Sequence, residues 1–117
     1  MRQAAMELGV KPVGVPVMVE LLKSSEVFLR QSGAFALHDL MEVAGNTRRP
    51  DGIEATPELV KAAEAAVQAL KGALTDKDKI VRCVSHEGLQ RGSRSPNNDI
   101  ADSATTALSG MKVDCSR

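Results

Sequence analysis

Two places in this sequence set an imidazole directly beside a carboxylate: His38-Asp39 and His86-Glu87. Imidazole and carboxylate together suit iron and neighbouring divalent metals, so these pairs are the first candidates for chemistry. The competing reading is a surface histidine with a helix-stabilising neighbour. It is preferred here. The run Asp76-Lys77-Asp78-Lys79 opens like a calcium loop, yet its sixth position is Val81 where that loop needs Gly, and of the two positions only the twelfth, Glu87, fits. No Gly-rich loop follows a strand-like stretch, and no Ser or Cys stands in a nucleophile motif. Cys83 and Cys115 offer neither a disulfide framework nor a metal-ligand spacing, and read as free thiols in a reducing compartment. The chain is therefore expected to have no catalytic residue, no cofactor and no metal.

Composition narrows the elements that must position these residues. A length of 117 residues suits one domain. Fifteen Lys and Arg balance fifteen Asp and Glu, which gives no electrostatic reason to bind nucleic acid or an anionic membrane. Phe28 and Phe35 are the only aromatics, too few for base-stacking platforms. An apolar fraction of 43% is too high for a disordered chain, and the apolar residues are mostly Ala, Val, Leu and Met, which favour a thin core of closely packed helices. No apolar run of about 18 residues exists to span a membrane, and Met1-Arg2-Gln3 does not open a signal peptide's apolar stretch. A cytoplasmic protein is expected.

The periodicity predicts helices throughout. One covers Arg2 to Leu8, with Gly9 as its cap; another runs from about Pro16 to Lys23; a third follows Ser25 to about Ala44. Turn formers fill residues 45–52. The next helix has the clearest signal: Thr56 as N-cap, Pro57 at the first position and Glu58 in the first turn. Its polar stripe is Lys61, Glu64, Gln68, Lys71 and Thr75, and Leu59, Ala62, Ala63, Ala66, Val67, Leu70 and Leu74 form an apolar face wide enough for more than one neighbour. A helix from about Asp78 to Arg91 follows, then a polar loop over 92–98. The last helix carries the stripe Ile100, Ala104, Ala107, Leu108 and Met111, and Gly110 ends it.

Two stretches align without gaps at an offset of 52 residues, which carries Leu22 onto Leu74, Leu29 onto Val81, Arg30 onto Arg82 and Leu37 onto Leu89. Each is an apolar helix end, a polar turn and an apolar-Arg step into a second helix. Such hairpins bury their apolar faces against one another when stacked.

Here the sequence resembles the armadillo/HEAT repeat family. Residues 14–25, from Gly14-Val15-Pro16 to Lys23-Ser24-Ser25, look like the second helix of an armadillo repeat, and Ala34-Phe35-Ala36-Leu37-His38-Asp39-Leu40 resembles its third-helix pattern. The second copy, Ala69-Leu70-Lys71-Gly72-Ala73-Leu74 with Ile80-Val81-Arg82, is more HEAT-like; Ala104, Ala107 and Leu108 resemble half of another repeat, and Arg2-Gln3-Ala4-Ala5 the remnant of one. The resemblance is specific over 14–40. It departs in the 52-residue spacing and the two long loops.

In that family the third helices line a groove in which a Trp and an Asn grip an extended peptide. The resemblance puts Phe35 at the Trp position and Asp39 at the Asn position, and Phe35 shares a stripe with Gln31, His38 and Glu42. At the 52-residue offset these become Glu87 and Arg91, so the gripping array is absent. The surface is expected to offer Phe35 and the charges Asp39, Glu42, Glu87 and Arg91. Arg30 and Arg82 are expected to bridge to an acidic residue of a neighbouring repeat, and Arg48-Arg49 to be a solvated loop. HEAT-repeat deoxyhypusine hydroxylase holds iron on His-Glu pairs, but the offset carries His38 onto Gln90, leaving His86 one helical turn out of register.

The sequence thus reads as one all-α domain over 1–117, a short right-handed superhelix with units at about 13–45 and 56–92 and partial units at 1–9 and 96–112. Its expected role is a non-catalytic interaction module that presents Phe35, Asp39, Glu42, Gln31, His38, Glu87 and Arg91 to a protein or peptide. A self-associating bundle (a homodimer) is the alternative, and a metal-dependent hydroxylase the remote one. Solenoids generally need at least three repeats, so a fragment of a parent array, or a partner over the ends, is expected.

Overall fold

The structure is a computed structural model that describes residues 14–44, 57–95 and 97–110. Among these residues there are five helices and no strand: α1 Val15–Leu22, α2 Val27–Ala44, α3 Pro57–Ala73, α4 Lys79–Ser93 and α5 Asn98–Leu108. The all-helical class expected from the periodicity is the one found. The helix expected over Arg2 to Leu8, the turn residues 45–52 with Arg48-Arg49, the Thr56 cap, Met111 and Cys115 lie outside the described residues.

Local chemistry explains the helix starts. Pro16 falls in the first turn of α1, where its missing N–H costs nothing. Pro57 opens α3, with Glu58 at the positive end of its dipole and Lys71 at the negative end. Asp78 caps α4 by accepting from the Val81 N–H at 3.0 Å, and Asn97 caps α5 by accepting from the Ile100 N–H at 3.1 Å. One boundary differs from expectation: α4 runs through Gly92 to Ser93 instead of breaking near Arg91. Gly92 is buried, and a Cβ there would run into the end of Met41 and reach 3.2 Å from Ala104. Close approach of α2 and α5 holds this glycine in the helix, overriding its weak propensity.

The core is as thin-chained as the composition implies. Ala62, Ala63, Ala66, Val67, Leu70 and Leu74 of the α3 face and the turn after it are all buried, while Lys61, Glu64, Gln68 and Lys71 are exposed. Leu37, Leu40, Met41, Leu89, Ile100, Ala104 and Ala107 join the same cluster. α2 packs most extensively on α4, α1 packs on both α2 and α3, and α5 packs on α3 and α4. At Gly33 a Cβ would stand 2.9 Å from both the Leu21 Cβ and the Met18 carbonyl oxygen, so α1 crosses α2 with the backbones nearly touching.

The 52-residue offset reappears in the hydrogen bonds. Ser24 Oγ accepts from the Glu26 N–H at 3.1 Å, and the Arg30 Nη1 donates to the carbonyls of Ser24 and Ser25 at 3.1 and 3.2 Å. At the equivalent places Asp76 Oδ1 accepts from the Asp78 N–H at 2.9 Å, and the Arg82 Nη1 donates to the carbonyls of Asp76 and Lys77, both at 2.9 Å. Each turn thus satisfies the backbone groups left free between two helices with the same two side-chain positions. The turn before α5 repeats the first half, with Ser95 Oγ accepting from the Asn97 N–H at 3.1 Å.

Candidate functional site

Residues of α2 and α4 compose the site. The two helices lie side by side, with their first turns tied together. Arg30 Nε donates to Asp76 Oδ2 at 3.0 Å, the bridge to a neighbouring turn expected for this arginine. Arg82 differs: among the described residues it has no carboxylate partner and serves its own turn's carbonyls. Gln31 Nε2 donates to Asp78 Oδ2 at 3.1 Å. Gln31 is therefore spent on an internal contact and does not stand open for a partner, as had been expected of it. The Gln31 amide, followed by the Val81 N–H, holds the Asp78 carboxyl below its ordinary value of 3.8, and burial opposes this.

Further along α2 the expected stripe divides. Phe35 is 44% exposed, in keeping with a surface position. His38 and Asp39 are only 8% and 1% exposed, which corrects the expectation of a surface histidine and an outward carboxylate. The physical reason is that residues 36–41 are buried on every face, more than a full turn of helix running through the interior. Helical periodicity marks which residues share a face, and packing then covers all faces of this segment. Glu42 is half-buried, and Glu87 and Arg91 of α4 are substantially open.

Five of the seven expected residues nonetheless meet. His38 Nδ1 lies 3.4 Å from Asp39 Oδ1, and His38 Nε2 lies 3.1 Å from Glu87 Oε2. The second contact meets an ion-pair distance but not hydrogen-bond geometry, so Nε2 is buried without a hydrogen bond. Arg91 Nη2 stands 3.7 Å from Glu87 Oε1, one turn along α4. Single ligand atoms of His38, Asp39 and Glu42 lie within 4.8 Å of one another, a cluster of metal-ligating types where none was expected. Gly88 allows this meeting: a Cβ there would come 3.2 Å from the His38 Cα, so α4 passes directly against residue 38 and carries Glu87 to the ring.

Sequence reading missed the most exposed aromatic. Phe28 is 72% exposed and sits seven residues before Phe35, two turns up the same stripe, so both aromatics of the chain face outward on one helix. The signal was available in that spacing. Ile80, the residue equivalent to Phe28 at the 52-residue offset, is 47% exposed on α4. Cys83, on the same stripe of α4 as Ile80 and Glu87, is disulfide-bonded, and no described cysteine is free. For Cys83 this corrects the reading as a free thiol and removes its support for a reducing compartment. No described helix is long and apolar enough to cross a membrane.

No protein-family model, curated protein or solved structure matches this chain.

Proposed function

We propose that this chain is a non-catalytic protein-interaction module built as a short right-handed armadillo/HEAT-like superhelix, whose α2–α4 surface receives a protein or peptide partner. The observation that carries this reading is the outward placement of both aromatics, Phe28 and Phe35, on one stripe of α2, with Ile80 exposed on the neighbouring helix. A domain with so few aromatics gains most by burying them, and large exposed apolar side chains mark contact surfaces. The two turns that share hydrogen bonds at the 52-residue offset support stacked hairpins as the architecture. Phe28 and Phe35 are the anchors, flanked by Glu42, Glu87 and Arg91 as a polar rim. Rim charges of this kind contribute about 0–1 kcal/mol each, so the aromatics carry the affinity.

The test is capture of partners on immobilised protein, wild type against Phe28→Ala and Phe35→Ala, with circular dichroism to show intact helices. Truncating an anchor costs more than about 1 kcal/mol, so each variant should lose specific partners by roughly tenfold. Unchanged capture by the folded double variant would end this reading. The same aromatics serve the self-associating alternative, which light scattering separates: a dimer that the double variant abolishes would make a second copy the partner.

A further inference from the structure

The geometry points to a divalent-cation site along the buried stretch of α2, with His38 Nδ1, Asp39 and Glu42 as ligands and Glu87 as the partner of the opposite ring nitrogen. Four observations converge there. The donor atoms of His38, Asp39 and Glu42 already lie within 4.8 Å of one another, two of these residues being buried. Ligands about 2.1 Å from a tetrahedral metal stand roughly 3.4 Å apart, which is the present separation of His38 Nδ1 and Asp39 Oδ1 at 3.4 Å. Spacing assists for Glu42, which stands four residues from His38 and three from Asp39 on one helix.

The surroundings of the histidine suit the same assignment. His38 is more than nine-tenths buried, and its Nε2 has no hydrogen bond. That nitrogen lies on the Glu87 side of the ring, which leaves Nδ1 facing the ligand cluster. When Nδ1 ligates a metal, the ring proton must reside on Nε2. That atom faces the Glu87 carboxylate at 3.1 Å, the carboxylate–histidine–metal arrangement that fixes tautomer and ring orientation. Glu87 is steadied from outside by Arg91 at 3.7 Å.

Nitrogen and oxygen donors without thiolate select a borderline first-row ion such as Zn²⁺ or Mn²⁺. Such an ion would be structural in effect: it would join three side chains of α2, and the His38–Glu87 contact would carry the tie to α4. The assignment shares Glu42 and Glu87 with the interaction reading above but does not use its aromatic anchors.

Isothermal titration of chelator-treated full chain with ZnCl₂ should show one saturable site. His38→Gln and Glu42→Gln should abolish it or weaken it at least tenfold. Glu87→Gln should weaken it about 10–100-fold, the usual effect of losing the outer partner of a ligating His. His86→Gln, at the other histidine, should leave it unchanged. Substitution of buried residues can unfold the helices, so X-ray absorption at the zinc edge of the wild-type chain is the second measurement. It should show an oxygen-rich shell with one imidazole and no sulfur. Absence of saturable binding, equal loss with His86→Gln, or a sulfur or imidazole-free shell would each overturn the site.

Discussion

Removing the Arg30 side-chain charge should cost more stability than removing that of Arg82, and the difference should reside in Asp76. Both arginines donate to two turn carbonyls, at 3.1 and 3.2 Å for Arg30 and 2.9 Å twice for Arg82. Arg30 alone adds a charge-assisted bond to a carboxylate, at 3.0 Å with both side chains about 15% exposed (16% and 14%). Such a pair is screened less than a surface pair, and hydrogen bonds to charged groups contribute about 1.5–3 kcal/mol. Arg→Met keeps the packed stem and removes the charge. We expect Arg30→Met to cost about 2–3 kcal/mol and Arg82→Met about 1 kcal/mol. Asp76→Ser is the matching change, because Ser24 holds the equivalent place and its hydroxyl already caps the equivalent N–H at 3.1 Å. A double-mutant cycle of Arg30→Met with Asp76→Ser, read by urea unfolding at 222 nm, should give a coupling of about 1–2 kcal/mol with unchanged m-values. A coupling below about 0.3 kcal/mol, or equal losses from the two arginines, would refute the bridge as the tie between the two turns.

Two further outcomes test the packing and the electrostatics. Gly72 lies within α3 with nothing near its Cβ direction, so Gly72→Ala should stabilise by about 0.5–1 kcal/mol, whereas Gly33→Ala, facing the Met18 carbonyl and Leu22 backbone nitrogen of α1 at 2.9 and 3.0 Å, should lower the thermal midpoint at a cost of about 1–3 kcal/mol. Asp78 is held below its ordinary 3.8 chiefly by the Gln31 amide, so its stabilisation is fully present above about pH 4 and lost as pH falls through the lower folded value; Gln31→Ala should reduce the stability lost between pH 5 and pH 3 in urea titrations.

Much of the fold was legible because helices are local. Pro57 and Glu58 marked the start of α3, the alternation of Lys61, Glu64, Gln68 and Lys71 with alanines marked its faces, and α4 was expected from about Asp78, where the structure begins it. The shared turn chemistry was foreshadowed by the pairing of Arg30 with Arg82. Gly92 was misread as a loop start because its contacts, Met41 and Ala104, come from distant parts of the chain. The candidate site was legible only as a set of types. Phe35 and Phe28 face outward, yet Gln31 is taken by Asp78, and His38 and Asp39 are inside.

What the sequence by itself determined is where the helices run, which residues share a face, and which turns repeat. These follow from a period of 3.6 residues and from caps that act within four positions. Which face is covered, and by what, was decided only when α4 came against α2 at Gly88. Depth of burial depends on helix crossings between residues about 50 positions apart, and no local pattern encodes the contact of Glu87 with the ring of His38. That crossing divided a stripe expected at the surface into an exposed Phe35 and a buried His38 with Asp39 beside it.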